Sequence, residues 1–300
     1  MKNYLIRAAG RFFKKLRKLL IVPGERWIKR MGIRYGSDDI PVLVFQVGKV
    51  GSSTVYYSLI NAGIRCEHVH RISPENIKRI ADDRRQRGLP VKDERLGLAL
   101  NGRLKRANEK VRIITMVREP VGRNISAFFQ NLADCYGKVP LHLIPVEEAI
   151  RRFFDEYPHH IVLEWFEAEL ERVTGVSLYD QPFPHQKQWM IIHEGRFEIL
   201  VLRVEAPDNI KSEAIKTFLN LPSIDLVRAN VGDVKVYARL YEEFRTRISL
   251  PEEYLNTMLE SKYARHFYSV DEIAGIRASY SDGGGSNNAG VAGVRGHECA

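Results

Sequence analysis

The stretch Val42-Leu-Val-Phe-Gln-Val-Gly-Lys-Val-Gly-Ser-Ser-Thr54 constrains this chain more than any other. Val42 to Val47 is an apolar run with the length and β-branching of a strand covered on both faces. Two glycines then turn the chain, and Ser52, Ser53 and Thr54 can cap the helix that follows. Gly48 and Gly51 let the backbone turn with its N–H groups exposed, and the new helix points its positive end into the same space. Lys49 adds a mobile cation, and the three hydroxyls add donors. The segment Gly48, Lys49, Val50, Gly51, Ser52, Ser53 and Thr54 therefore reads as a cradle for phosphate or sulfate. An ordinary strand-to-helix turn needs no lysine at that point.

The rest of the chain supplies an α/β frame for the cradle. The helix from Ser53 is expected to end at Ala62 before Gly63, a good residue to follow a helix, and Ile64–His70 reads as a second strand, closing a parallel βαβ unit. Charged helices follow from Pro74 to Arg87 and from Val91 to Lys110. The strand Val111–Val117 leads through Arg118-Glu-Pro into a helix over Val121–Leu132, which repeats the logic of the first turn. Two helical patterns flank Pro158 between Val146 and Thr174, and short strands are expected at Gln188–Ile192 and Phe197–Val204. Helices are expected at Ile210–Leu219, Lys235–Arg247, Pro251–Glu260 and Val270–Ser279. From Ser281 the composition turns to Gly, Asn and Ala, as in a disordered tail.

Two anion motifs in one frame narrow the chemistry. The ATP-binding pattern G-x-x-x-x-G-K-[ST] is not met, because Lys49 precedes the second glycine. The order Gly48-Lys49-x-Gly51-Ser52-Ser53-Thr54 resembles instead the 5′-phosphosulfate loop of sulfotransferases, whose donor is 3′-phosphoadenosine-5′-phosphosulfate (PAPS). Some 70 residues on, Arg118-Glu-Pro-Val-Gly-Arg-Asn-Ile-Ser126 resembles the 3′-phosphate motif of the same superfamily. There the planar fork of Arg118 and the hydroxyl of Ser126 would meet one phosphate. Bacterial proteins assigned to capsular polysaccharide synthesis and carbohydrate sulfotransferases are the nearest look-alikes, and Arg265-His-Phe-Tyr-Ser269 before a last helix fits that branch. The resemblance spans about Val42 to Tyr280. It implies a three-layer α/β fold, a mostly parallel central sheet with a P-loop-like phosphosulfate loop and helices on both faces, and transfer of a sulfuryl group from PAPS to a hydroxyl of a carbohydrate or polysaccharide. One element departs from the pattern: Arg228-Ala-Asn-Val-Gly-Asp-Val-Lys235 keeps G-D-x-K of the cytosolic enzymes' R-K-G-x-x-G-D-W-K but loses its start, which leaves Arg228 a weak candidate for the 3′-phosphate.

Sulfuryl transfer needs charge neutralised on the leaving phosphate and a proton removed from the acceptor. Lys49 suits the first task and requires no metal. For the second, Glu67-His-Val-His70 ends the second strand, near the edge where open α/β sheets bind ligands. Histidine titrates near working pH, so His70, closer to the edge, is the first choice of base and His68 the second; the resemblance also supports a histidine there. Tyr56, Tyr57, Phe128, Phe129, Trp165, His185 and Trp189 offer stacking surfaces for a sugar, yet each is also explained as a core aromatic.

Charge separates the remaining function classes. Residues 1–36 hold eleven Lys or Arg against one Glu, a surplus of ten, so a formal net charge of +9 leaves residues 37–300 at −1. A basic arm, not a basic domain, carries the excess, which argues against nucleic-acid binding. Leu5, Ala9, Phe12, Leu16, Leu19 and Leu20 alternate with cations at helical spacing, so the arm can lie on an anionic membrane surface. No apolar run reaches the roughly 20 residues of a membrane span, and the start lacks a secretory signal, which points to a cytoplasmic protein, peripheral at the membrane if the arm binds lipid. Cys66, Cys135 and Cys299 are too few and scattered for disulfides or zinc. The expected organisation is an arm over 1–36, a catalytic α/β domain over 40–280 and a tail over 281–300. Two other readings compete: a P-loop kinase using ATP and Mg²⁺, disfavoured by the lysine order and by Arg118 where an acidic metal ligand would follow the strand, and a non-catalytic membrane-surface protein on a degenerate scaffold.

Overall fold

The computed structural model describes residues 40–89, 91, 94–132, 143–227 and 237–281. The basic arm, Arg228 and the tail beyond Ser281 lie outside the described residues. In chain order the elements are β1 (Val42–Phe45), α1 (Ser52–Asn61), β2 (Cys66–Val69), α2 (Pro74–Gln86), α3 (Arg95–Arg106), β3 (Val111–Val117), α4 (Pro120–Gln130) and α5 (Val146–Glu156). Then come α6 (Ile161–Trp165), a π-helical turn (Phe166–Glu171), α7 (Arg172–Thr174), β4 (Trp189–Glu194), β5 (Phe197–Arg203), α8 (Asp208–Leu219), α9 (Ala238–Arg247), α10 (Glu252–Leu259), α11 (Lys262–Phe267) and α12 (Val270–Ser281).

The molecule is α/β, with one five-stranded sheet in the order β2-β1-β3-β5-β4. β1 pairs in parallel with β2 (Val44 opposite His68) and with β3 (Val44 opposite Ile114), and β3 pairs in parallel with β5 (Val117 opposite Arg203). Only β4 runs antiparallel, joined to β5 by the two-residue turn Gly195-Arg196, with Trp189 opposite Leu202. The parallel strands are apolar runs because both faces are covered: Leu43, Val44, Phe45, Ile113, Ile114, Ile199 and Leu200 are completely buried.

The topology fixes where a ligand can sit. From β1 the chain crosses to β2 on one side, then returns to β3 on the other, so the order reverses between β1 and β3. At such a switch point the loops leaving the two carboxyl ends diverge and leave a crevice. The loops in question are those that carry Lys49 and Arg118.

Local chemistry sets the element ends. α1 stops because Gly63 adopts φ 73°, which lets Ile64 N–H reach back to Leu59 C=O (2.9 Å). α3 is shorter than the expected 91–110: it starts after Glu94, with Gly97 seated so close to the Arg71 carbonyl that no side chain fits, and Ala107 has turned to extended backbone. α11 is an additional element. Ser261 nucleates it by accepting the Ala264 N–H (3.1 Å) on its hydroxyl. A second core, of Phe128 and Phe129 from α4, Phe153 from α5, Phe244 from α9 and Leu255 and Met258 from α10, anchors α4 to the C-terminal helices. Those four phenylalanines meet edge to face or tilted at 4.9–6.0 Å.

Candidate active site at the carboxyl edge of the sheet

After Phe45 the chain leaves β1 through Gln46-Val47-Gly48-Lys49-Val50-Gly51. Lys49 and Gly51 both adopt left-handed backbone, φ 75° and 74°. For Lys49 this conformation costs about 1–2 kcal/mol, and its neighbours hold it there. The Lys49 carbonyl accepts from Arg118 Nη1 (3.2 Å), and the Gly48 carbonyl accepts from Arg123 Nε (3.0 Å). Gly51 has a further reason to be glycine: a Cβ would come within 2.6 Å of Val204 Cγ2, just past β5. α1 then begins at Ser52 with Gly51 in the capping position, no side-chain cap among the described residues and no acid in its first turn.

The second strand-to-helix turn is built differently. Glu119 caps α4, its carboxylate accepting from Val121 N–H (2.9 Å) and Gly122 N–H (2.6 Å), and from the Tyr280 hydroxyl (3.0 Å). Glu119 is buried, and burial pushes its carboxyl above the usual carboxylate range against the pull of Arg118. Its N–H donates to Glu205 Oε1 (2.9 Å), which also accepts from the Tyr268 hydroxyl (3.1 Å). The α4 N-terminus, expected to repeat the first turn as an anion site, is thus already filled by a carboxylate of the chain. Arg118 faces the first turn instead. Its backbone is fixed by Tyr263, whose hydroxyl accepts the Arg118 N–H (3.1 Å) and donates to the Arg118 carbonyl (2.9 Å). Ser126 is half-buried on α4, and among the described residues no hydrogen bond joins it to Arg118.

The two histidines stand against the first turn. His68 Nε2 is met by the side-chain amide of Gln46 (2.8 Å) and the hydroxyl of Ser52 (2.9 Å). An amide nitrogen only donates, so the lone pair of Nε2 is engaged. Burial, with His70 adding to it, pushes His68 down to about 4. His70 donates from Nδ1 to the Gln46 carbonyl (2.9 Å), which fixes the tautomer with its lone pair on Nε2. Its pKa is also lowered, chiefly by burial. The rings lie 4.9 Å apart, and His68 stacks on Tyr56 at 5.4 Å. The backbone of Lys49, with Ser52, Arg118, His68 and His70, thus gathers at the carboxyl edge of the sheet around the first turn. Of the proposed stacking aromatics, Phe128, Phe129, Trp165 and Trp189 belong to the buried core.

Gln46 and Arg123 join this site without having been singled out in the sequence. Gln46 is a buried polar residue in an otherwise apolar run, and Arg123 is a buried arginine among Val121, Ile125 and Phe128 of α4. Each was a polar residue at an apolar position, which is the available signal. Among the described residues most arginines with a polar partner hold a carboxylate, as in Arg71–Glu94, Arg203–Glu272 (2.6 Å) and Arg277–Glu260 (3.3 Å). Among the described residues neither Arg118 nor Arg123 has one within ion-pair distance; both spend nitrogens on carbonyls of the first turn.

Residues 148–269 match the model of the family described as "Putative capsular polysaccharide synthesis protein". The match runs from α5 to just beyond α11 and includes β4, β5, Glu205, Tyr263 and Tyr268; the turns at 48–54 and 118–126 lie outside it. It connects the chain to polysaccharide biosynthesis. Comparison with curated proteins and with solved structures finds no match. Among the described residues no helix is long and apolar enough to cross a membrane.

Proposed function

We propose that this chain is a sulfotransferase that moves the sulfuryl group of PAPS onto a hydroxyl of a carbohydrate, within polysaccharide synthesis. One observation carries the reading: the uncapped N-terminus of α1 follows a turn whose carbonyls hold two arginines that, among the described residues, have no carboxylate within ion-pair distance. Cations without an ion-pair contact beside an uncapped helix end favour an anion there. On this reading Gly48–Thr54 takes the phosphosulfate of a nucleotide with phosphate at both ends, and Arg118, with Ser126 and Arg228 as the sequence resemblance implies, takes the 3′-phosphate. When bound, PAPS supplies a sulfuryl group on a phosphate leaving group.

Lys49 neutralises the charge that grows on the departing phosphate oxygen, an interaction stronger in the transition state than before it. Arg118 and Arg123 hold the carbonyls of 48 and 49 and so keep Lys49 in its strained conformation. His70 Nε2 takes the proton of the acceptor hydroxyl as its oxygen bonds to sulfur. His68 is less suited to that task because its lone pair is already engaged by Gln46 and Ser52. A depressed pKa keeps His70 neutral, and so able to accept, at neutral pH. The testing experiment is isothermal titration of the full chain with adenosine 3′,5′-bisphosphate and, separately, with ATP and Mg²⁺. Binding of the bisphosphate that is lost in Arg118→Ala supports the reading; binding of ATP-Mg²⁺ with no response to the bisphosphate replaces it with a kinase.

A further inference from the structure

Glu169 is completely buried, and among the described residues no cation lies within ion-pair distance of it. Its carboxylate is surrounded by neutral donors. Oε2 accepts from Ile72 N–H (2.9 Å) and Ser73 N–H (3.0 Å), and Oε1 accepts from the Asn76 side-chain amide (2.6 Å). Burial pushes the group above the usual carboxylate range, so the three donors offset a real desolvation cost. Four residues earlier, Trp165 donates its Nε1–H to the His70 carbonyl (3.0 Å) and packs edge to face on Phe45 of β1 (4.9 Å). Trp165 is the last residue of α6, and Glu169 lies in the π-helical turn that follows. Such turns forgo regular helix hydrogen bonds and occur disproportionately at functional sites.

These contacts converge on one short stretch. The His70 carbonyl is held by Trp165, its ring nitrogen by Gln46, and the next two N–H groups but one by Glu169. Anchoring a loop would not require a buried carboxylate, but gripping two adjacent N–H groups on one oxygen and an amide on the other requires two acceptor atoms, where a glutamine has one acceptor and one donor. We propose that Trp165 and Glu169 form a clamp that sets the ring of His70, with Glu169 a positioning residue that acts through it. The clamp deepens the proposed function, since it gives the base assigned there its orientation. It also assigns a role to the segment 148–269, which contains both clamp residues but neither anion turn.

The test is a nuclear magnetic resonance titration of the full chain labelled with ¹⁵N-histidine, as wild type, Glu169→Gln and Trp165→Phe, with circular dichroism as the fold control. Other groups facing His70 are His68, Arg71, Glu94 and Arg123, and none is altered. In wild type His70 holds the Nδ1–H tautomer and titrates below an ordinary histidine. In each variant the loosened ring is better hydrated, so its midpoint rises by about half a unit and the tautomers mix. An unchanged or lowered midpoint overturns the clamp; lowering is what loss of the Glu169 charge alone would give. Should Glu169→Gln not fold, Trp165→Phe, which removes one N–H donor, decides. Failure of wild type to bind adenosine 3′,5′-bisphosphate would instead sink the sulfotransferase reading, and the titration would still judge the clamp.

Discussion

The turn from β1 into α1 and the turn from β3 into α4 are written in similar residues and end in opposite states. Each runs from a buried parallel strand through a turn bearing a cation into a helix with a hydroxyl near its start. In the second, Glu119 folds back onto the helix N-terminus, the Tyr280 hydroxyl donates to it, and no residue from Arg118 to Gly122 has positive φ. In the first, no side chain caps the helix among the described residues, Lys49 is held at positive φ, and Arg118 and Arg123, neither with a carboxylate within ion-pair distance among the described residues, donate to its carbonyls. One turn is closed by the chain's own carboxylate, and the other, under the proposed function, is kept open for a ligand. The closed turn also serves the open one, because it aims Arg118 across the crevice at the Lys49 carbonyl.

The largest effect should come from the open turn. Lys49→Ala is expected to lower sulfuryl transfer about a thousandfold, some 4 kcal/mol of transition-state stabilisation, while urea denaturation shows a change within about 0.5 kcal/mol. A loss of stability as large as the loss of turnover would make Lys49 a structural residue and erase the contrast.

Next in size is a pH effect on the histidine that holds Ser52. His68 is depressed to about 4 from 6.5, so between those values the unfolded chain binds the extra proton and the folded chain does not. Stability from this group is complete above pH 6.5 and is lost as pH falls through 4. At about 1.4 kcal/mol per unit the loss is about 3 kcal/mol. Urea midpoints from pH 7 to pH 4 should show it, and His68→Gln should remove that part of the slope. An unchanged slope would mean that His68 is already hydrated, and the first turn less enclosed than described.

Glu119→Ala probes the closed turn. It leaves Val121 N–H, Gly122 N–H and the Tyr280 hydroxyl without their acceptor and is expected to cost roughly 2–3 kcal/mol. It also converts the second turn into a copy of the first. Added sulfate should therefore stabilise Glu119→Ala more than wild type, as read by the shift in thermal midpoint. Equal shifts would show that the carboxylate does not occupy an anion site.

How far this could be read in advance varied with the range of the contacts. The strands, the parallel βαβ unit and the glycine turn into α1 were legible because Val42–Val47, Gly48 and Gly51 encode them locally. The Glu119 cap was also written locally, as an acid directly before Pro120 at the first helical position, a favourable place for proline; the similarity to the first turn hid it. The unequal roles of His68 and His70 were not legible. They depend on Gln46, 22 and 24 residues away, and on Ser52, 16 away, and strand alternation places both histidines on one face. Nor was the π-helical turn, since no glycine or proline marks it and its evident partners, Ile72, Ser73 and Asn76, lie more than 90 residues earlier.

The smallest effect is the most direct test of why the open turn is strained. Lys49 occupies backbone that costs a non-glycine residue about 1–2 kcal/mol, whereas glycine adopts it freely but loses roughly 0.5–1 kcal/mol more in unfolded-chain entropy. Lys49→Gly should therefore be more stable than wild type by about 0.5–1 kcal/mol in urea denaturation, although it removes the ammonium and with it turnover. Under the proposed function, a residue kept at a stability cost in the turn of this pair that no side chain caps is kept for what its side chain does there. If Lys49→Gly proves less stable than wild type, the lysine contributes packing that outweighs its strain. The two turns would then differ only in which residue caps them.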